Sequence, residues 1–215
     1  MMRYRYLLFA YTSLTLVCGC KNNETKIEID NLENLKNKFL NAVLHSELDE
    51  GPFILQYNLE TVFFSKKIIS LFGKFNEYTN LPHGRARYEG KNFCEVNNQF
   101  KELNLRDLFT TQNQMKLLIS YCENNLKNQP ISYFAGEDVL RTTLSQDDLD
   151  TFVIDDQFLI LIFQPYVAGS YADGPFFVKI PFEHAKNMWD TNNPLALLIG
   201  DAVSSGQFVS SWNEG

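Results

Sequence analysis

Strand-like and helix-like stretches fall in separate blocks along this chain instead of alternating, and that order constrains the fold more than any single motif. Leu32, Leu35, Phe39, Leu40, Val43 and Leu44 recur at helical spacing behind Asp30-Asn31-Leu32-Glu33, which has the Asp-x-x-Glu form of a capping box. This predicts an amphipathic helix over 31–46, ended by Gly51-Pro52. Two runs rich in aromatic and β-branched residues, 53–64 and 67–78, read as strands. A third strand, 85–93, is introduced by the turn segment 80–84. The segment 103–109 leads into a second helix running to about Lys127, with Leu117, Leu118, Tyr121, Cys122 and Leu126 on its buried face. Residues 151–154 and 157–163 predict a hairpin across Asp155-Asp156. A strand over 176–180 comes next, and then a short helix over 182–188. The class expected is α+β, a largely antiparallel sheet packed with two main helices. A hydrophobic content of 45% is ample for the core of one domain, or of two small, intimately packed ones.

The N-terminus speaks to location. Arg3 and Arg5 precede the apolar run LLFAYTSLTLV, which is too short to span a bilayer, and then comes Val17-Cys18-Gly19-Cys20. These last residues resemble a lipobox, which implies cleavage after residue 19 and a lipid anchor on Cys20. An ordinary cleaved signal with a free Cys20 thiol is the alternative. Lys21 after the cysteine implies the outer membrane, facing the periplasm or the cell surface, in a cell with two membranes. The segment 20–30 reads as a polar tether.

Loss of residues 1–19 removes two arginines and no acid, so a net charge of −7 becomes −9. Such a surface attracts basic partners and repels nucleic acid. Two further cysteines, Cys94 and Cys122, either pair or stay as buried thiols without a catalytic role; their spacing offers no metal motif.

Nothing in the sequence assembles into a catalytic constellation. His83, between Pro82 and Gly84, is the histidine placed in a turn, and a hydrolase built on it is the weakest functional reading. Asp147, Asp148, Asp150, Asp155 and Asp156 lack the ligand spacing of a calcium loop, so a solvated helix start and a hairpin turn account for them better. No phosphate-binding glycine loop is present, and no metal or cofactor is expected.

What stands out is FQPYVAGSYADGPFFVKIPFE, residues 163–183, where a long Pro-, Gly- and Tyr-rich insertion joins two strands that two turn residues would suffice to connect. Tyr166, Tyr171 and Phe176 offer large contact areas with few rotatable bonds, and Pro165 and Pro175 lower the entropy lost on association. The alternative is that both tyrosines pack down onto the sheet. Ser170, Asp173 and Gly174 complete the candidate contact set.

This segment resembles the extracytoplasmic domain family of the lysozyme-sensing anti-sigma factor RsiV. The pieces that carry the resemblance are strand 158–163, Pro165-Tyr166, Ser170-Tyr171-Ala172-Asp173-Gly174 and Ile180-Pro181-Phe182-Glu183. Ile68 to Leu71, Tyr78, Leu81 to Gly84 and Leu105 to Phe109 resemble the family's upstream partner domain, a pair also found in the peptidoglycan deacetylase PdaC. The order Pro82-His83-Gly84 departs from the family's turn. The resemblance implies an upstream domain over 31–130 and a C-terminal domain with an extension over 131–215. It implies recognition of a lysozyme-like basic protein or of peptidoglycan glycan. The lipobox-like signal in place of a membrane helix and cytoplasmic segment is a departure from the family's anti-sigma factor, so that role is not expected.

Overall fold

A computed structural model of the protein describes residues 9–10, 23–47, 54–78, 84–134 and 143–189. Cys20, Pro82, His83 and the segment 190–215 lie outside the described residues. The order is β1 (Phe9–Ala10), α1 (Asn23–Glu47), β2 (Ile54–Phe64), β3 (Ile68–Tyr78), β4 (Arg85–Val96), β5 (Gln99–Leu103), α2 (Leu105–Leu108), α3 (Gln112–Leu126), β6 (Phe152–Ile154), β7 (Phe158–Phe163), β8 (Phe176–Pro181) and α4 (Phe182–Ala185). Strands β1 to β5 form one sheet in sequence order, and β6, β7 and β8 form a second. β4–β5, β6–β7 and β7–β8 are antiparallel, while β1 adds two residues in parallel to β2. The fold is α+β, as the block order of the sequence requires.

Contacts divide the chain into two units, one of Met1–Glu60 with Gly73–Arg87 and one of Thr61–Phe72 with Tyr88–Gly215. In the first, α1 buries Leu35, Phe39 and Val43 at i, i+4 and i+8. Phe39 meets the ring of Phe75 edge-to-face at 5.9 Å, and Tyr57 stacks on Phe75 at 6.3 Å. The helix starts at Asn23, inside the segment read as a tether. Asp30 is therefore an interior helical residue and not a cap.

In the second unit, α3 buries Met115, Leu118, Cys122 and Leu126 in one cluster with Leu159, Leu161 and Phe163 of β7 and Val178 and Ile180 of β8. Leu117, expected on the buried face, is 46% exposed; the periodicity that buries Leu118 and Cys122 turns it outward. The helical segment is also broken in two. Phe109 leaves helical backbone at φ −112° and ψ 78°. Thr111 then starts α3 afresh, its hydroxyl accepting the Gln114 N–H at 3.2 Å while the Gln114 side chain accepts the Thr111 N–H at 2.9 Å. Cys94 and Cys122 are both free and buried, and burial pushes both thiols up.

Strand β6 is held on its outer edge by side chains. Ser70 donates to the Asn92 Oδ1 at 2.7 Å, the Asn92 amide donates to the Phe152 carbonyl at 2.8 Å, and the Ile154 N–H donates to the Ser70 hydroxyl at 2.9 Å. Ser70 and Asn92 are fully buried, so each of these bonds matters chiefly for what its loss would leave unpaired, about 1–3 kcal/mol per group. Gly90 is glycine for steric reasons, since a Cβ there would overlap the Phe152 carbonyl. The outer edge of β8 is covered by α3 and the turn that follows it: the Gln129 side chain donates to the Phe177 carbonyl at 3.1 Å and the Tyr121 hydroxyl of α3 reaches the Lys179 carbonyl at 3.5 Å. Both edges of the three-stranded sheet are thereby engaged by the chain itself, which disfavours strand addition by a partner.

Candidate recognition surface

The connection between β7 and β8 is built from three local devices. Gln164 to Val167 form a turn closed by the Val167 N–H on the Gln164 carbonyl at 3.0 Å. Pro165 occupies its second position and Tyr166 its third, with φ +71°. That is the type II pattern, in which the third position favours glycine because a side chain there is strained. Tyrosine in this conformation costs on the order of 1 kcal/mol, and strain of this kind collects where a side chain is needed for something other than folding. The Tyr166 N–H is fixed on the Gly169 carbonyl at 2.9 Å.

The second device is a 3-10 turn over Tyr171–Asp173. The Asp173 carboxylate accepts both the Ser170 N–H at 2.8 Å and the Ser170 hydroxyl at 2.6 Å. Gly174 then leaves the turn at φ +75° and ψ −157°, a region open in practice to glycine alone. The third is the floor. Gly169 lies on the ring of Phe176, so close that a Cβ would overlap it. Phe176 is 4% exposed and belongs to the core, so this ring supports the loop and is not one of its contacts.

These devices present two rings. Tyr166 is 68% exposed and Tyr171 38%, and the rings stack with centroids 5.9 Å apart and planes inclined by 30°. Both tyrosines therefore face outward instead of packing down onto the sheet. The base of the loop is tied down by Gln164, whose Oε1 accepts the Tyr88 N–H at 3.0 Å while its Nε2 donates to the Tyr88 carbonyl. Tyr88 is buried and stacks on Phe72 at 6.3 Å. Burial pushes its phenol up, and the neighbouring Tyr171 adds to the effect. No sequence motif singles out Gln164, Tyr88 or Gly169. A glutamine at a strand end shows no sign of a partner 76 residues away.

The remaining candidates lie elsewhere. Gly84 belongs to the first unit, where a Cβ would come within 3.0 Å of the Tyr78 ring. The acidic segment 146–149 is a 3-10 turn, and Asp155 accepts the N–H groups of Gln157 and Phe158 in the β6–β7 turn. Among the described residues no group of three or more His, Cys, Asp or Glu is placed to hold a metal ion. Among them, too, no helix is long and apolar enough to cross a membrane.

Residues 106–183, which run from α2 through the tyrosine loop to the start of α4, match the family model described as Protein of unknown function (DUF3298). No curated protein matches the chain. The chain is similar to the crystal structure of a DUF3298 family protein from Pseudomonas aeruginosa PAO1, with 16% identity, 72% of this chain and 70% of that one covered, and a TM-score of 0.50. A second crystal structure, a DUF3298 family member from Bacteroides fragilis NCTC 9343, shares 17% identity over 84% of this chain and 74% of that one, with a TM-score of 0.49. The Pseudomonas likeness concerns the fold alone. The segment that carries the tyrosine surface is thus the part of the chain that matches the DUF3298 family model.

Proposed function

We propose that the protein is a lipid-anchored envelope binding protein that recognises a basic partner, a lysozyme-like muramidase being the leading case, through the tyrosine loop. The observation that carries this reading is Tyr166. It takes the strained place that a type II turn reserves for glycine, and it is the most exposed of the large hydrophobic side chains among the described residues. A buried tyrosine would offset that strain by packing; this one carries it in solvent. The acidic net charge supports a basic partner by long-range attraction. The lipid anchor and the muramidase rest on the sequence resemblances at Val17–Cys20 and across 158–183.

The open face of the Tyr166 ring also suits stacking on a pyranose, so a cell-wall glycan is the second reading. The two are separated by applying residues 21–215 to immobilised hen lysozyme at low salt, where charge attraction is least screened, and to peptidoglycan sacculi. Retention on lysozyme that weakens as salt rises is the expected result. Retention on sacculi alone would transfer the site to the glycan.

A further inference from the structure

The stacked tyrosines carry a chemistry that contact with a partner does not use. Two phenol rings within one loop are exposed, with centroids 5.9 Å apart. The backbone beneath them is fixed by the Tyr166 N–H on the Gly169 carbonyl and by the bonds from Ser170 to Asp173 that bracket Tyr171. The fold therefore sets how close the rings come, while the exposed Tyr166 ring keeps room to turn about its own side-chain bonds. Other tyrosines are placed differently. Tyr57 stacks on Phe75, and Tyr121 lies against His184; neither neighbour is a phenol. Tyr78 is exposed on β3, in the first unit. Tyr88 does lie near Tyr171, but it is buried against Phe72, and burial pushes its phenol up so that it keeps its proton.

We infer that Tyr166 and Tyr171 are a site of oxidative modification, where a one-electron oxidant at the surface joins the two rings into dityrosine within one chain. This goes beyond the contact role proposed above and does not depend on it. Each phenol gives up one electron and its hydroxyl proton. The two phenoxyl radicals combine through carbons ortho to their oxygens, forming one C–C bond. The hydrogens on those carbons then move to the oxygens, which restores both aromatic rings. The electrons and protons released reduce one hydrogen peroxide to two waters, with a haem peroxidase as the one-electron agent. Coupling within the molecule outruns coupling between molecules, because the second ring already stands beside the first at high effective concentration. The product closes a covalent ring across the Tyr166 turn and the Tyr171 turn.

The test treats the full chain, purified in detergent, with hydrogen peroxide and a haem peroxidase, and maps the products after trypsin. The sequence has no Lys or Arg between Arg141 and Lys179, so Tyr166 and Tyr171 share one peptide and are its only tyrosines. That peptide is expected to lose the mass of two hydrogens and to gain the blue emission of dityrosine, in a yield unchanged on dilution. Tyr166→Phe and Tyr171→Phe should each abolish this product, and Tyr78→Phe should leave it intact. Thermal melts of both loop variants are expected to match the parent, since each loses only a hydroxyl from an exposed ring. If the peptide keeps its mass, or joins only a second copy in a yield that falls on dilution, the inference is overturned. A link from Tyr171 to Tyr88, which lies on a separate tryptic peptide, overturns it as well.

Discussion

Two turns of this protein are built on the same device and put to opposite uses. Ser145 and Asp148 bracket one 3-10 turn, and Ser170 and Asp173 bracket another. In each, the aspartate accepts the serine N–H, at 2.7 and 2.8 Å, and the serine hydroxyl, at 2.6 Å in both. The next residue in the chain sets them apart. After Asp148 comes Leu149, 1% exposed and packed in the core cluster. After Asp173 comes Gly174, whose positive φ swings the chain away and leaves Tyr171 outside. The first turn fastens a strand entry to the core, and the second holds up a ring for contact. A local hydrogen-bond motif sets backbone shape; the residues on either side decide whether the product is structure or surface.

The contrast breaks most readily at Leu149. Leu149→Ala should cost about 2–4 kcal/mol in denaturant unfolding, because a fully buried leucine leaves a cavity. Tyr171→Ala should cost well under ~1.5 kcal/mol, the scale of an aromatic pair contact, while weakening partner binding. If the two losses prove equal, the distinction between the turns is wrong. Next in size is Gly174→Ala, expected to destabilise by about 1–3 kcal/mol through backbone strain alone, since a Cβ there meets open space. Asp148→Ala and Asp173→Ala should each lose about 0.5–2 kcal/mol, and by similar amounts if the device is the same.

A third turn, between β6 and β7, gives the smallest and most specific effect. Partial burial raises the Asp155 carboxyl above its ordinary range, against the N–H bonds it accepts from Gln157 and Phe158. A raised folded-state value means stability fully present below the unfolded-state value and lost as pH rises through the folded one. Asp155→Asn keeps an acceptor and removes the charge. It should gain stability at neutral pH, with the gain shrinking as pH falls through the carboxyl's titration, measured as melting temperature against pH.

Much of this architecture is written locally. The hairpin across Asp155-Asp156 falls where alternation and the paired aspartates place it, and β2 and β3 start within one residue of their expected positions. β5 escaped although its signal was present: Asn97 and Asn98, at φ 56° and 62°, are the two left-handed residues of a tight hairpin, and Val96-Asn97-Asn98-Gln99 spells it out. The early start of α1 escaped because Asp30-x-x-Glu33 looks like a cap wherever it occurs; tertiary contact, not the motif, decides its role. The Ser70–Asn92–Phe152 chain was invisible for a different reason. Buried polar residues inside strands break the apolar pattern and say nothing of partners 60 residues distant. At the candidate site, Pro165 marked the turn and the tyrosines marked the surface. Yet outward-facing rings depend on φ at Tyr166, Gly169 seated on Phe176 and Gln164 clamped to Tyr88, none of which periodicity encodes.

The claim that Tyr166 is held in a strained backbone for the sake of contact is tested most directly by Tyr166→Gly. Glycine takes the left-handed position freely, so relief of strain offsets the lost ring contact. The melting temperature should stay within about 3 °C of the parent, roughly 1 kcal/mol for a chain of this size, while binding to hen lysozyme falls more than tenfold. A steep fall in melting temperature, or binding that survives the substitution, would contradict it.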